Sequence, residues 1–251
     1  MKKPIKPLRT KFCNEVVTEF FVPSKPSNKV IIFCDGMPSI PCKRDLLEFF
    51  SKRNYWVFHP RYRGSWESGG RFLQYSPEKD IIAIIDELPR GFQSLWDRKH
   101  YRVVPQEIYL LGNSFGGTAA ILASQDPRVT KVVVLSPVVD WRVPSKTQPL
   151  DAMWHFIHEA YQGAYRVKRK DWEKLKTGTF YNPIYKADSL LGEKICIVHA
   201  KDDTVIAWRS VEKFAHATKS TLLLLNQGGH ISSKSFLDPQ FYRKIKAFLK
   251  K

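Results

Sequence analysis

Gly112-Asn113-Ser114-Phe115-Gly116-Gly117 is the stretch of this chain in which residue type and spacing together specify a chemistry. The apolar run 107–111 leads into it and the small-residue stretch 115–125 leads out, so a strand enters the motif and a helix leaves it. In that context G-x-S-x-G holds a serine on a strained strand-to-helix turn with its hydroxyl clear of the sheet. Side chains at Gly112 and Gly116 would collide with neighbouring backbone, and the helix N-terminus beyond favours developing negative charge. A phosphate-binding loop, the other use of such glycines, would continue with Lys-Ser or Lys-Thr, whereas Thr118-Ala119 follow here. Ser114 is read as a nucleophile.

A nucleophilic serine needs a base, and the base needs an orienting acid. With an elbow of this type the acid and then the histidine follow the serine in the chain. After the apolar run 194–199 (KICIVH) comes Ala200-Lys201-Asp202-Asp203-Thr204-Val205-Ile206, and after 220–225 (STLLLL) comes Gly228-Gly229-His230. Each lies where a strand ends, as does Ser114, so all project to one edge of a sheet. His230 is the histidine placed to serve as base. His59 and His199 end strands, His216 falls in a helical stretch and His100 in an unassigned insertion; these read as core or surface groups. His155, His158 and Glu159 have a spacing that can build metal sites, but no further ligands accompany them, and a polar helix face is the simpler reading.

Short runs that are apolar throughout alternate with amphipathic ones. Residues 29–34, 55–59, 107–111, 130–135, 194–199 and 220–225 read as buried strands, and 44–53, 78–88, 115–125 and the stretch opened by Asp238-Pro239 as helices. That pattern predicts an α/β fold, a mostly parallel sheet covered on both faces. Residues 12–22 add one or two N-terminal strands. Residues 140–191 interrupt the rhythm with a helical stretch 150–161 and a basic one. They are expected to form a small cap at the carboxyl ends of the strands, within a single domain spanning 1–251.

The 251 residues carry 41 Lys+Arg against 24 Asp+Glu, a net charge of +17, in an otherwise ordinary globular composition. The basic residues cluster at the N-terminus (Lys2, Lys3, Lys6, Arg9, Lys11), in 166–176, and at the C-terminus (Arg243, Lys244, Lys246, Lys250, Lys251). None forms a nucleic-acid module, so no nucleic-acid partner is expected and the charge reads as a solvated surface. No apolar run approaches the ~18 residues of a membrane span, the basic start lacks the apolar stretch of a secretory signal, and the four scattered cysteines form no metal or disulfide framework. A cytoplasmic protein without cofactor or metal is expected.

Taken together, GNSFGG, Tyr62-Arg63-Gly64-Ser65 with Gly69-Gly70-Arg71-Phe72, Ser136-Pro137-Val138-Val139-Asp140-Trp141, Asn182-Pro183-Ile184, HAKDDTVI and GGHIS resemble the α/β-hydrolase superfamily. The resemblance runs over roughly residues 29–249 and is greatest to the catalytic domain of the prolyl-oligopeptidase family and related small esterases. It implies Ser114 as nucleophile, Asp203 as acid and His230 as base. The family pattern His-Gly-x-x-Asp-x-x-Val maps onto His199, Ala200, Asp203 and Ile206, which leaves Asp202 on a variable position. Asp140 is the alternative acid, because some superfamily members place it after the preceding strand. The backbone N–H groups of Met37 and Phe115 are the implied oxyanion hole.

The chain departs from the pattern twice. It has Asp35-Gly36 where the family usually has His-Gly, which puts a negative charge at the hole if the side chain points there. It also lacks room for the propeller domain of the larger members, so peptide specificity is not implied. The expected reaction is hydrolysis of a small-molecule carboxylic ester through an acyl-enzyme. A small aminopeptidase or thioesterase using the same residues is the alternative, and a non-catalytic scaffold is disfavoured because all three residues are present. The cap cations Arg166, Lys168, Arg169, Lys170, Lys174 and Lys176 are expected to make a positive roof that repels a protonated amine. Trp154, Phe156 and Tyr161 either face the pocket or pack the cap onto the core.

Overall fold

The computed structural model describes residues 6–250, so Lys2, Lys3 and Lys251 of the terminal basic clusters lie outside the described residues. Eight strands build one sheet: β1 (Leu8–Phe12), β2 (Val16–Phe21), β3 (Lys29–Cys34), β4 (Trp56–Pro60), β7 (Glu107–Asn113), β8 (Val129–Leu135), β9 (Ile195–Ala200) and β10 (Thr221–Leu225). Their order is β1-β2-β4-β3-β7-β8-β9-β10. From β4 to β10 neighbours run parallel, while β1 and β2 join antiparallel at one edge. This is the expected α/β architecture, with the N-terminal segment forming two strands.

Strand side chains alternate between faces, so each strand feeds two cores. Val30, Ile32, Val132, Val134, Ile195 and Ile197 face one core, roofed by α2 (Glu78–Glu87), α3 (Phe115–Ala123) and α6 (Trp208–Thr218). Ile31, Phe33, Leu111, Val133 and Val198 face the other, covered by α1 (Arg44–Ser51) and α7 (Pro239–Leu249). Both faces are apolar because both are covered, and this is why these strands read as unbroken hydrophobic runs. Helix α3 is buried along its whole length. Its glycines and alanines let it lie close against the sheet, which places the elbow serine at a fixed height above the strand ends.

The unassigned stretch 91–105 contains a short hairpin, β5 (Phe92–Gln93) with β6 (His100–Tyr101). Its Phe92 and Tyr101 pack on Phe20, so it plugs the antiparallel edge, far in the strand order from β9 and β10. The segment joining β8 to β9 carries α4 (Leu150–Ala160), α5 (Arg169–Trp172) and several 3₁₀ turns. Part of it is stitched to the loop after β4, through isolated bridges Ser65–Tyr165 and Phe72–Val167.

Candidate active site

Ser114 has φ +51° and ψ −123°, a conformation that costs a non-glycine residue about 1–3 kcal/mol and persists only where its surroundings enforce it. The surroundings are backbone. A Cβ on Gly112 would stand 2.6 Å from the Gly116 carbonyl oxygen, and one on Gly116 would stand 2.1 Å from the Cys34 carbonyl oxygen. The Ser114 amide donates to the Leu135 carbonyl (2.9 Å), tying the turn to the end of β8.

Asp203 and His230 meet at the same edge. Asp203 is buried, and its Oδ2 accepts from His230 Nδ1 at 2.9 Å. Its Oδ1 accepts from the amides of Val205 (2.8 Å) and Ile206 (3.0 Å). Burial would raise this carboxyl, but the His230 bond and the Ile206 amide outweigh it and hold it below the usual carboxylate range. A carboxylate only accepts, so Nδ1 carries the ring proton and Nε2 is left with a free lone pair. Asp140 makes no such contact: its carboxylate is taken by Arg142 (3.0 Å from both Nε and a terminal nitrogen) and by Asn182 Nδ2 at 3.2 Å. Ser114 Oγ and the His230 ring are not hydrogen-bonded in this state, a bond that commonly tightens only with substrate bound.

Two residues acquire roles that sequence reasoning left blank. Asp202, on the variable position, accepts from the amides of Gly229 (2.8 Å) and Gly228 (3.2 Å), and so holds the backbone that carries His230. His199, read as a core group, is fully buried with Nε2 3.1 Å from the Ile206 carbonyl and 3.7 Å from Asp203 Oδ2. It anchors the loop whose amides hold Asp203. Burial pushes its pKa down, partly offset by Asp203, and keeps it neutral. The His at the strand end was the available signal; its partner on the loop was not readable.

The turn after β3 abuts the nucleophile: a Cβ on Gly36 would lie 3.5 Å from Ser114 Cβ. Met37 and Phe115 line a cavity with Ser114, and among the described residues neither amide donates to a protein acceptor. Asp35 is not part of that cavity. Its Oδ1 accepts from the Gly36 amide, and its Oδ2 faces Lys43 Nζ (3.3 Å) and His59 Nε2 (3.5 Å). Against the effect of burial, His59 and Lys43 hold this carboxyl down, so the charge is ionised but balanced. The turn is strapped from outside as well. Tyr62 Oη donates to the Asp35 carbonyl (3.2 Å), Trp66 Nε1 to the Ser39 carbonyl (3.0 Å), and the Ser39 amide donates to Tyr165 Oη (3.1 Å).

The cavity beside Ser114 measures about 350 Å³. Its lining is largely apolar and includes Val138, Trp141, Pro149, Leu150, Met153 and Ile206. Asp140 is the carboxylate on its wall, and it is already occupied as above.

Pairing reduces the expected positive roof without cancelling it, since among the described residues Lys168 and Lys170 have no ion-pair partner. Lys176 binds Asp151 (2.9 Å) and Glu173 (3.0 Å), and Arg169 binds the same two acids. Lys174 binds Asp171 (3.1 Å), while Arg166 is spent on the backbone carbonyls of Trp66 and Gly163. Lysines and arginines three and four residues from acids on short helical turns are partly balanced by them, which a count of cations alone overlooks. Trp154, Phe156 and Tyr161 do not line the cavity. Trp154 packs on Trp172 and His158, and Tyr161 on Trp66 and Tyr165. His158 Nδ1 bonds the Trp154 carbonyl, and no group of His, Cys, Asp or Glu among the described residues is arranged to hold a metal.

The sequence profile of the prolyl oligopeptidase family matches residues 44–251. Among solved structures, the Pyrococcus furiosus esterase Pf2001 superposes with a TM-score of 0.69 at 20% identity, over 98% of this chain and 90% of that one. Pyrococcus horikoshii acylaminoacyl peptidase superposes with a TM-score of 0.66 at 18% identity, over 99% of this chain but only 41% of its own. DcsB, solved in complex with its substrate analogue, gives 0.70 at 14% identity over 98% of both chains. At these identities the likeness is one of fold. Comparison with curated protein sequences gives no match.

Proposed function

Because the chain belongs to the prolyl oligopeptidase family, we propose that it is a serine hydrolase that cleaves small carboxylic esters through an acyl-enzyme, with Ser114, His230 and Asp203 as its triad. Ser114 Oγ attacks the ester carbonyl carbon while His230 Nε2 takes its proton. The carbonyl π electrons move to oxygen, which the Met37 and Phe115 amides receive. The tetrahedral intermediate collapses, the C–O bond to the alcohol breaks, and His230 returns the proton to the departing alcohol. Water then repeats the sequence on the acyl-enzyme and releases the acid. Asp203 keeps the imidazole in the required tautomer and stabilises the imidazolium.

The observation that carries the ester reading is the cavity wall. It is mainly hydrocarbon, and Asp140, its carboxylate, is already bound by Arg142 and Asn182. A peptide's protonated amino terminus therefore finds no available anion there, while an uncharged acyl chain finds matching surface. The cap segment between β8 and β9 supplies much of that wall. Pairing of Arg169, Lys174 and Lys176 with acids weakens electrostatic repulsion as a reason to exclude amines, so the preference rests chiefly on missing anchorage. The test compares kcat/KM for p-nitrophenyl butyrate and a set of aminoacyl anilides on one preparation, with fluorophosphonate labelling of wild type and Ser114→Ala. Fast ester cleavage and labelling lost in the variant are expected. Equal or faster anilide cleavage would overturn the ester assignment, and full activity in Ser114→Ala would overturn the mechanism.

A further inference from the structure

The charge of +17 is not spread evenly once ion pairs are considered. In the cap cluster Arg169, Lys174 and Lys176 are paired with Asp151, Asp171 and Glu173. Helix α7 is different. Its sequence, PQFYRKIKAFL, contains no acid. Tyr242, Ile245 and Leu249 turn into the core, which leaves Arg243, Lys244, Lys246 and, one residue on, Lys250 exposed on the outer side. Among the described residues none of these four cations has a carboxylate within ion-pairing distance.

The patch extends beyond the helix. Lys131 Nζ lies 5.0 Å from the Phe248 ring and bonds only the Glu193 backbone carbonyl. The Arg53 guanidinium lies 5.0 Å from the Tyr242 ring and bonds the Phe49 carbonyl. The nearby acids are committed: Asp238 caps the helix by accepting from the Gln240 and Phe241 amides, and Glu48 pairs with Lys52. Four cations thus share the outer side of α7, with Lys131 and Arg53 beside the helix, and among the described residues none of the six has an ion-pairing carboxylate.

We propose that the outer face of α7 is a docking surface for the anionic headgroups of a lipid bilayer. Charge complementarity is the attraction, and three features choose this occupant. The patch is the outer side of a helix, and neither the cavity beside Ser114 nor the groove lined by Val22, Trp56 and Val103 reaches it, so it suits a delocalised anionic plane rather than one seated phosphate. It is mostly lysine, which acts as a point charge and lacks the bidentate fork that reads nucleic-acid groups. Its aromatic rings, Phe241 and Phe248, pack against the core and offer no face on which a base could stack. With its apolar side buried, the helix rests on the headgroups and does not insert.

The experiment is co-sedimentation of the full chain with neutral phosphatidylcholine vesicles and with vesicles enriched in phosphatidylserine. It is run at low salt (Debye length ~30 Å) and near physiological salt (~8 Å). Binding to the anionic vesicles alone, weakened by salt, is expected. At roughly fivefold per cation, the variant R243Q/K244Q/K246Q/K250Q is expected to bind several-hundred-fold more weakly. A charge-matched control, K25Q/K99Q/K168Q/K213Q, removes four exposed lysines elsewhere and is expected to retain most binding. Unchanged circular dichroism and p-nitrophenyl butyrate turnover in both variants establish that they fold. No binding by wild type, equal loss in the control, or tighter binding to duplex DNA than to anionic vesicles at the same salt would each overturn the proposal.

Discussion

Replacing Asp203 with asparagine is expected to cost on the order of 10⁴ in kcat, and the geometry says why the loss is that large. Asp203 Oδ1 already serves two donors, the Val205 and Ile206 amides, at 2.8 and 3.0 Å. An asparagine at 203 must turn its one carbonyl oxygen toward them, because the opposite orientation sets an NH₂ group against two N–H groups at a buried site. The NH₂ then faces His230 Nδ1, where a carboxylate oxygen now accepts at 2.9 Å. Nδ1 must become the acceptor, so the ring proton moves to Nε2, the atom that should receive the Ser114 proton. A fall of 10⁴ corresponds to about 5.5 kcal/mol at ~1.4 kcal/mol per tenfold. The assay is single-turnover and steady-state cleavage of p-nitrophenyl butyrate, with fluorophosphonate labelling rate as a second readout. KM should change little, since the loss lies in the transition state. An Asp203→Asn enzyme within tenfold of wild type, or an equally severe Asp140→Asn, would refute the reasoning.

Asp202→Asn removes one of two acceptors from the Gly228 and Gly229 amides and is expected to lower kcat roughly five- to tenfold with KM unchanged, measured on the same ester. His199 is buried and its folded pKa lies below the ordinary ~6.5, so the unfolded chain binds its proton first as pH falls. Stability should therefore be fully present above pH ~6.5 and decline below it, and urea denaturation across pH should show this component missing in His199→Gln. Tyr165→Phe strips the acceptor from the Ser39 amide and is expected to reduce kcat by roughly fivefold while leaving thermal stability within a few degrees of wild type, read by ester turnover and calorimetry.

The sheet was legible because its strands are apolar on both faces and its turns carry glycine and proline. The elbow was legible because close backbone contacts leave few residues possible at 112 and 116. The choice of Asp203 over Asp202 followed from the register that the family resemblance implies, and the fold brings Asp203 to His230 while Asp202 grips the neighbouring backbone. What could not be read was side-chain direction. The pairing of Lys176 with Asp151 spans 25 residues, and that of Arg71 with Asp171 spans 100, so the charge balance of the cap depends on tertiary geometry. The same holds for the Tyr165 strap on Ser39, 126 residues apart in sequence. Ser76 is a residue type that favours helix starts and stands just before α2, yet its hydroxyl bonds the Glu78 side chain instead of capping a backbone amide.

The stitching of residues 165–167 to the loop after β4 divides the segment between β8 and β9 into parts with different freedom to change. The Phe72 amide donates to the Arg166 carbonyl (2.9 Å) and the Arg166 amide to the Gly64 carbonyl (2.7 Å), while Tyr165 reaches the turn beside the nucleophile. Upstream, residues 141–153 contribute Trp141, Val143, Pro149, Leu150 and Met153 to the cavity, and among the described residues no hydrogen bond joins them to that seam. An engineer, or natural drift, can therefore exchange this stretch as a cassette and recast which acyl groups fit. A graft whose boundary crosses 165–167 would instead unseat the amide of residue 37, and a change meant for selectivity would surface as lost turnover.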